Sequence, residues 1–139
     1  PCVIPALGHS NFKIEDGTME FGVGHHGEAG TKVEKLKSAS EMAQEMAETI
    51  LNDFDFEEGK EVAVMLSGLG ATPVMELYVL YDEVEKVLAK AGHKVWKTYI
   101  GNYVTSLDMN GASLTIVDLD DEIKELLSEP AVPIGMKNY

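Results

Sequence analysis

Apolar positions along this chain follow two periods, and each period predicts its own elements. Met42, Met46 and Ile50 recur every four residues, with Ala43, Ala47 and Leu51 beside them. That spacing puts all six on one side of a helix, a single buried face. Ser38-Ala39-Ser40-Glu41 precedes it as a capping box, Ser38 as N-cap and Glu41 reaching back. Val62–Leu66 is an uninterrupted apolar run, the mark of a strand covered on both sides. Thr72 then reads as a cap and Pro73 as the first helical residue. Val74, Leu77, Tyr81, Val84 and Leu88 make a helical stripe that ends at Gly92, a suitable C′ residue. Lys94–Tyr99 reads as the next strand. Strand, helix and strand with short links predict a parallel βαβ unit with a right-handed crossover. The crossover helix spans Pro73–Ala91, with Tyr81 and Leu88 facing the sheet.

Weaker signals fill in the remainder. Residues 1–18 read as irregular, and Met19–Val23 as a strand running into the glycine-rich stretch Gly24–Gly30. Asp55–Lys60 reads as a charged turn and Asn102–Gly111 as a loop. Ser113–Val117 reads as a strand and Asp120–Leu127 as a short helix opened by acids. Pro130 and Pro133 end regular structure. The fold class is therefore α/β, a mixed β-sheet backed by helices. Its 139 residues suffice for one domain, 1–139, and not for two.

Composition narrows the function. Net charge is −13, from 24 acidic and 11 basic side chains. A surface this acidic repels phosphate backbones and anionic lipid, which argues against nucleic-acid and membrane partners. No apolar run approaches the ~20 residues of a membrane span. Cys2 is the sole cysteine, so neither a disulfide framework nor a cysteine metal site is expected, and a reducing cytoplasm suits it. The chain opens on Pro1-Cys2-Val3-Ile4-Pro5 without an initiator methionine. We read it as a piece of a longer protein.

Gly22-Val23-Gly24-His25-His26-Gly27-Glu28-Ala29-Gly30 is the most unusual stretch. Its first six residues satisfy G-x-G-x-x-G, yet no helix is signalled before Ser38 to receive a pyrophosphate. No Lys-Ser or Lys-Thr closes a P-loop, and Lys32 lies too far along. His25, His26 and Glu28 are a poor zinc set, because neighbours on extended chain point opposite ways. A surface turn with idle histidines and a turn that offers one imidazole to a small ligand remain equally open. An imidazole, with an ordinary pKa of ~6.5, is both nucleophile and base near neutral pH. Leu66–Pro73 is a second glycine-rich turn, read mainly as tight helix-on-strand packing. In the loop after Tyr99, Asp108 could serve as a base, although such residues usually bond their own backbone.

Three stretches carry a resemblance: Met19–Gly30 with its Gly24-x-His26-Gly27-Glu28-x-Gly30 core, Leu69–Tyr78, and Gly101–Gly111 with Thr105-Ser106-Leu107-Asp108-Met109. In order and spacing they resemble the dihydroxyacetone kinase DhaK family, from about Cys2 to about Pro133. The resemblance implies the second, C-terminal domain of that fold and a role as half of a substrate-binding subunit. It implies that His26 attacks the ketone carbon and holds it as a hemiaminal, with Gly24 and Gly27 giving the ligand room. A covalent bond would separate a ketone from glycerol, which shape alone separates poorly. The implied partners are dihydroxyacetone or a related short ketose, the N-terminal half of the same subunit, a nucleotide-bearing DhaL-type subunit and, in one arrangement, a second copy of the chain. No cofactor is expected in this chain; ATP or ADP with magnesium would sit on the separate subunit or domain.

Two residues depart from the family pattern: His25 replaces an aliphatic residue, and Ala29 replaces a proline. The family's acid/base histidine and aspartate belong to the N-terminal half, so the chain alone is expected to be inactive as a kinase. A ketone-sensing regulatory paralogue acting through a transcription-factor partner is the alternative, and a structural or dimerisation domain the third reading.

Overall fold

The structure, a computed structural model, describes residues 1–10, 12–26, 28–57 and 59–138. Among these residues the elements in order are β1 (Val3–Ile4), β2 (His9–Ser10), β3 (Thr18–Phe21), β4 (Lys32–Lys35), α1 (Ala39–Asp53), β5 (Glu61–Gly68), α2 (Val74–Lys90), β6 (Lys94–Gly101), β7 (Ala112–Asp118) and α3 (Asp121–Ser128). The main sheet has the order β6-β5-β7, with β6 parallel and β7 antiparallel to the central β5. It is a mixed sheet containing the expected β5-α2-β6 unit.

Alternation along β5 sorts its side chains between two faces. Val62, Val64 and Leu66 are wholly buried against Ala43 of α1 and Leu77, Leu80, Val84 and Leu88 of α2. Met42, Met46, Leu51, Ala112, Leu114 and Ile116 pack around this core. Burying each large apolar side chain stabilises the fold by about 1.5–3 kcal/mol before entropy is counted. Tyr81 faces the sheet as expected, its hydroxyl 2.8 Å from Thr98 Oγ1 on β6, while Leu88 is wholly buried. Val74 departs from the stripe. At the first turn of α2 it is 49% exposed, and Leu80 takes the buried position instead.

Capping marks the start of α1 and the end of α2. Ser38 Oγ accepts from the Glu41 amide at 3.3 Å, and the Glu41 carboxylate accepts from the Ser38 amide at 2.9 Å. The expected capping box is present. At α2 the reading needs correction, because Pro73 is the N-cap and no side chain caps the helix. Thr72 Oγ1 is engaged elsewhere, donating to Gly111 O at 2.7 Å and accepting from Gly111 N at 2.8 Å. Gly92, at φ 88°, ends α2 in the left-handed region that glycine adopts without strain.

One irregularity decides how the other face is covered. Val62 pairs with Val95 but Ala63 pairs with Lys97, so Trp96 is an extra residue on β6. The bulge puts Lys97 on the Ala63 side of the sheet. There its ammonium donates to Leu127 O at 2.6 Å and to Asn138 Oδ1, tying α3 and the tail down. Asn138 Nδ2 completes the tie with 2.7 Å bonds to Leu127 O and Glu129 O.

Candidate functional site

The candidate turn is carried by a small two-stranded sheet outside the main one. β3 and β4 pair antiparallel from Thr18↔Lys35 to Phe21↔Lys32. β3 is shorter than the expected Met19–Val23 strand, since Gly22, at φ 74°, turns the chain out of it. The turn is closed at its base by Thr31 N donating to Phe21 O at 2.8 Å and Gly30 N to Glu20 Oε1 at 2.9 Å. A charge cluster then fixes the hairpin to α1. Lys32 and Lys37 both contact Glu45 of α1, and both pair with Glu34, at 3.2 and 2.8 Å respectively. Lys32 and Lys37 in turn hold the Glu45 carboxyl below the usual carboxylate range.

Within the turn, Gly24 N donates to Glu28 O at 3.0 Å. The Glu28 side chain folds back, and its Oε2 accepts from His26 N at 3.0 Å. Its Oε1 lies 3.6 Å from His26 Nδ1, at ion-pair distance. A Cβ at position 24 would overlap Glu28 Oε2 and crowd its Cβ, so this fold-back requires glycine there. Gly27 lies outside the described residues. The Glu28 carboxyl is held below its usual range chiefly by its own backbone N–H and then by that of His26. Its slight burial opposes the shift, and the His26 ring and His25 add smaller contributions.

His25 and His26 sit in a hydrogen-bonded turn and not on extended chain, so strand alternation does not separate them. What separates them is Glu28, which engages the backbone and ring of His26. The His26 side chain is 90% exposed among the described residues. The surface depressions along α1 are lined by residues such as Lys37, Glu41, Gln44 and Glu48, and do not include His26. Among the described residues no group of three or more His, Cys, Asp or Glu side chains is placed to hold a metal.

The other two stretches form one knit of loops at the C-terminal end of β5. Leu69 N donates to Gly111 O and Ala71 N to Met109 O, both at 3.0 Å, and Ser106 N donates to Leu69 O at 2.8 Å. Buried Ser67 Oγ accepts from the amides of Tyr103 and Val104, each at 3.0 Å. Gly70, at φ 126°, lies so close to Leu107 O that any side chain would overlap that carbonyl. Asp108, considered as a base, accepts from Val3 N at 2.7 Å and so pins the N-terminal segment. Among the described residues no hydrogen bond or ion pair joins this knit to the His26 turn. Sequence reasoning did not single out Glu28 for a role at His26, although it stands two residues on, inside the motif that carries the family resemblance.

Comparison with known proteins agrees with this architecture. The Dak1 domain model matches residues 1–134. The dihydroxyacetone-binding subunit DhaK of a PTS-dependent dihydroxyacetone kinase from Listeria innocua is 43% identical over 122 residues, 88% of this chain and 37% of the relative. A D-erythrulose kinase from Mycolicibacterium smegmatis is 38% identical over 130 residues, 94% of this chain and 22% of that protein. Among solved structures, a dihydroxyacetone kinase operon co-activator, Dha-DhaQ, superposes with a TM-score of 0.85 at 30% identity, covering 94% of this chain and 41% of its own. The chain thus spans roughly a fifth to two-fifths of these proteins. With the family model running through all three motif stretches and the fold matched in space, the chain belongs to the Dak1 domain family.

Proposed function

We propose that this chain is the C-terminal half of a dihydroxyacetone kinase substrate-binding subunit and that His26 carries the ketone covalently. The observation that carries this reading is His26 itself, an accessible imidazole on a glycine-flanked turn in a chain 43% identical to a dihydroxyacetone-binding subunit. In the reaction the Nε2 lone pair attacks the ketone carbon and a C–N bond forms. The carbonyl π pair moves to oxygen, which takes up a proton, while the ring releases one from Nδ1. A single adduct results, a neutral N-substituted imidazole whose new carbon bears the hydroxyl of a hemiaminal. Only the neutral ring has the lone pair for this step. The alcohol groups of the bound ketose then present themselves to a phosphoryl donor on a separate nucleotide-bearing subunit or domain. The remaining pocket walls and the acid/base pair come from the N-terminal half, which accords with the exposed side chain of His26.

The superposition on an operon co-activator favours a second reading, in which the same covalent capture senses a ketone for a regulatory partner. Phosphoryl transfer to the ketose separates the two readings. Binding tests what they share. The full-length subunit containing these residues should bind dihydroxyacetone and discriminate against glycerol, and His26→Ala should abolish that preference. Equal binding of ketone and polyol would overturn covalent capture.

A further inference from the structure

Resting on the reading of His26 as the nucleophile, we infer that Glu28 is the positioning residue that sets the His26 tautomer, holding the proton on Nδ1 and leaving the Nε2 lone pair free to attack. The geometry around the carboxylate is specific. One oxygen is committed to the His26 amide at 3.0 Å, and the other faces Nδ1 at 3.6 Å. A carboxylate oxygen accepts and cannot donate, so the nitrogen facing it is favoured in its N–H form. The other ring nitrogen then carries the lone pair. This arrangement also has the right sign during reaction, since attack through Nε2 places positive charge on the ring until Nδ1 releases its proton. A fixed negative charge beside Nδ1 stabilises that charge.

Backbone hydrogen bonds keep Glu28 ionised, so it acts as a fixed charge and the proton leaves to solvent. Gly24 belongs to the same device, because any side chain there would displace the folded-back carboxylate. His25 lies in the same turn but makes no ion pair with Glu28 among the described residues. The carboxylate thus selects one of two adjacent histidines.

The test is Glu28→Gln in the full-length subunit, with ring nitrogen-15 NMR of His26 as the first readout. Glutamine has one carbonyl oxygen. If that oxygen keeps the bond from the His26 amide, its NH2 group faces Nδ1 and favours the opposite tautomer. The wild type should show Nδ1 protonated and Nε2 bare, and Glu28→Gln should reverse this with the backbone spectrum otherwise preserved. Dihydroxyacetone adduct formation should fall by on the order of 10-fold to 100-fold, the range seen when a group orienting an imidazole is lost. Glu28→Ala should leave the ring in the mixture of tautomers it adopts in water and give a smaller loss than Gln. An unchanged tautomer in Glu28→Gln, with adduct formation intact, overturns the role of Glu28 and leaves His26 standing. A Glu28-dependent tautomer without any adduct in the wild type supports the positioning role and overturns the reading of His26 as the ketone-binding residue.

Discussion

Ser67→Ala should loosen the loop knit at the end of β5 without touching the sheet. Ser67 is 1% exposed, and its hydroxyl accepts from both Tyr103 N and Val104 N at 3.0 Å while donating to Gly68 O at 3.2 Å. Alanine differs by one oxygen, so cavity formation contributes little and the cost falls on the two amides. A buried amide left without an acceptor costs about 1–3 kcal/mol. Tyr103 is half-buried and meets most of that cost, whereas Val104, 47% exposed, turns its N–H to water more cheaply. The sum is about 2–3 kcal/mol. At about 4 °C per kcal/mol for a domain of this size, the melting temperature should fall by about 8–12 °C. Urea unfolding gives the free energy, and hydrogen exchange locates it. The amides of Tyr103 and Val104 should lose protection well ahead of those along β5. A change below about 0.5 kcal/mol, the scatter of an ordinary surface substitution, with both amides still protected would refute the reasoning.

Two further outcomes follow from the core and the charge clusters. Leu66→Ala removes a wholly buried side chain of β5, the central strand of the main sheet, and should cost about 2–5 kcal/mol by chemical denaturation. Glu45 is held below the carboxylate range by Lys32 and Lys37, and Glu61 by Lys124 and Lys94. A carboxyl depressed in the folded state stabilises above its unfolded pKa of ~4.3 and loses that contribution as pH falls through the folded value. The melting temperature should be nearly level between about pH 7 and 5, drop below about pH 4, and drop less steeply in Glu45→Gln.

Strong periodicity made the centre of this fold legible from sequence. The Met42–Ile50 spacing and the Ser38–Glu41 box placed α1, and the apolar run Val62–Leu66 placed the buried strand of a parallel β5-α2-β6 unit. Elements held by other forces were missed. β4 is Lys-Val-Glu-Lys, with one apolar side chain that is itself 60% exposed; pairing with β3 and the contacts to Glu45 hold it. Thr72 before Pro73 looks like a cap, but only the fold brings Gly111 within its reach. The extra residue Trp96 left no trace in the alternation of β6. His26 was proposed through family resemblance and not through spacing. The fold-back of Glu28 was hidden because it depends on turn geometry and on the missing side chain at Gly24.

Carbon-13 dihydroxyacetone, labelled at the carbonyl and added to the full-length subunit, tests the central claim most directly. Covalent capture at His26 should move the labelled signal from the ketone region to that of a tetrahedral carbon bonded to nitrogen and oxygen. The bound signal should persist in His25→Ala and vanish in His26→Ala. A bound signal that survives His26→Ala but disappears in His25→Ala would contradict the assignment, and a bound ligand whose carbon stays in the ketone region would contradict the covalent mechanism itself.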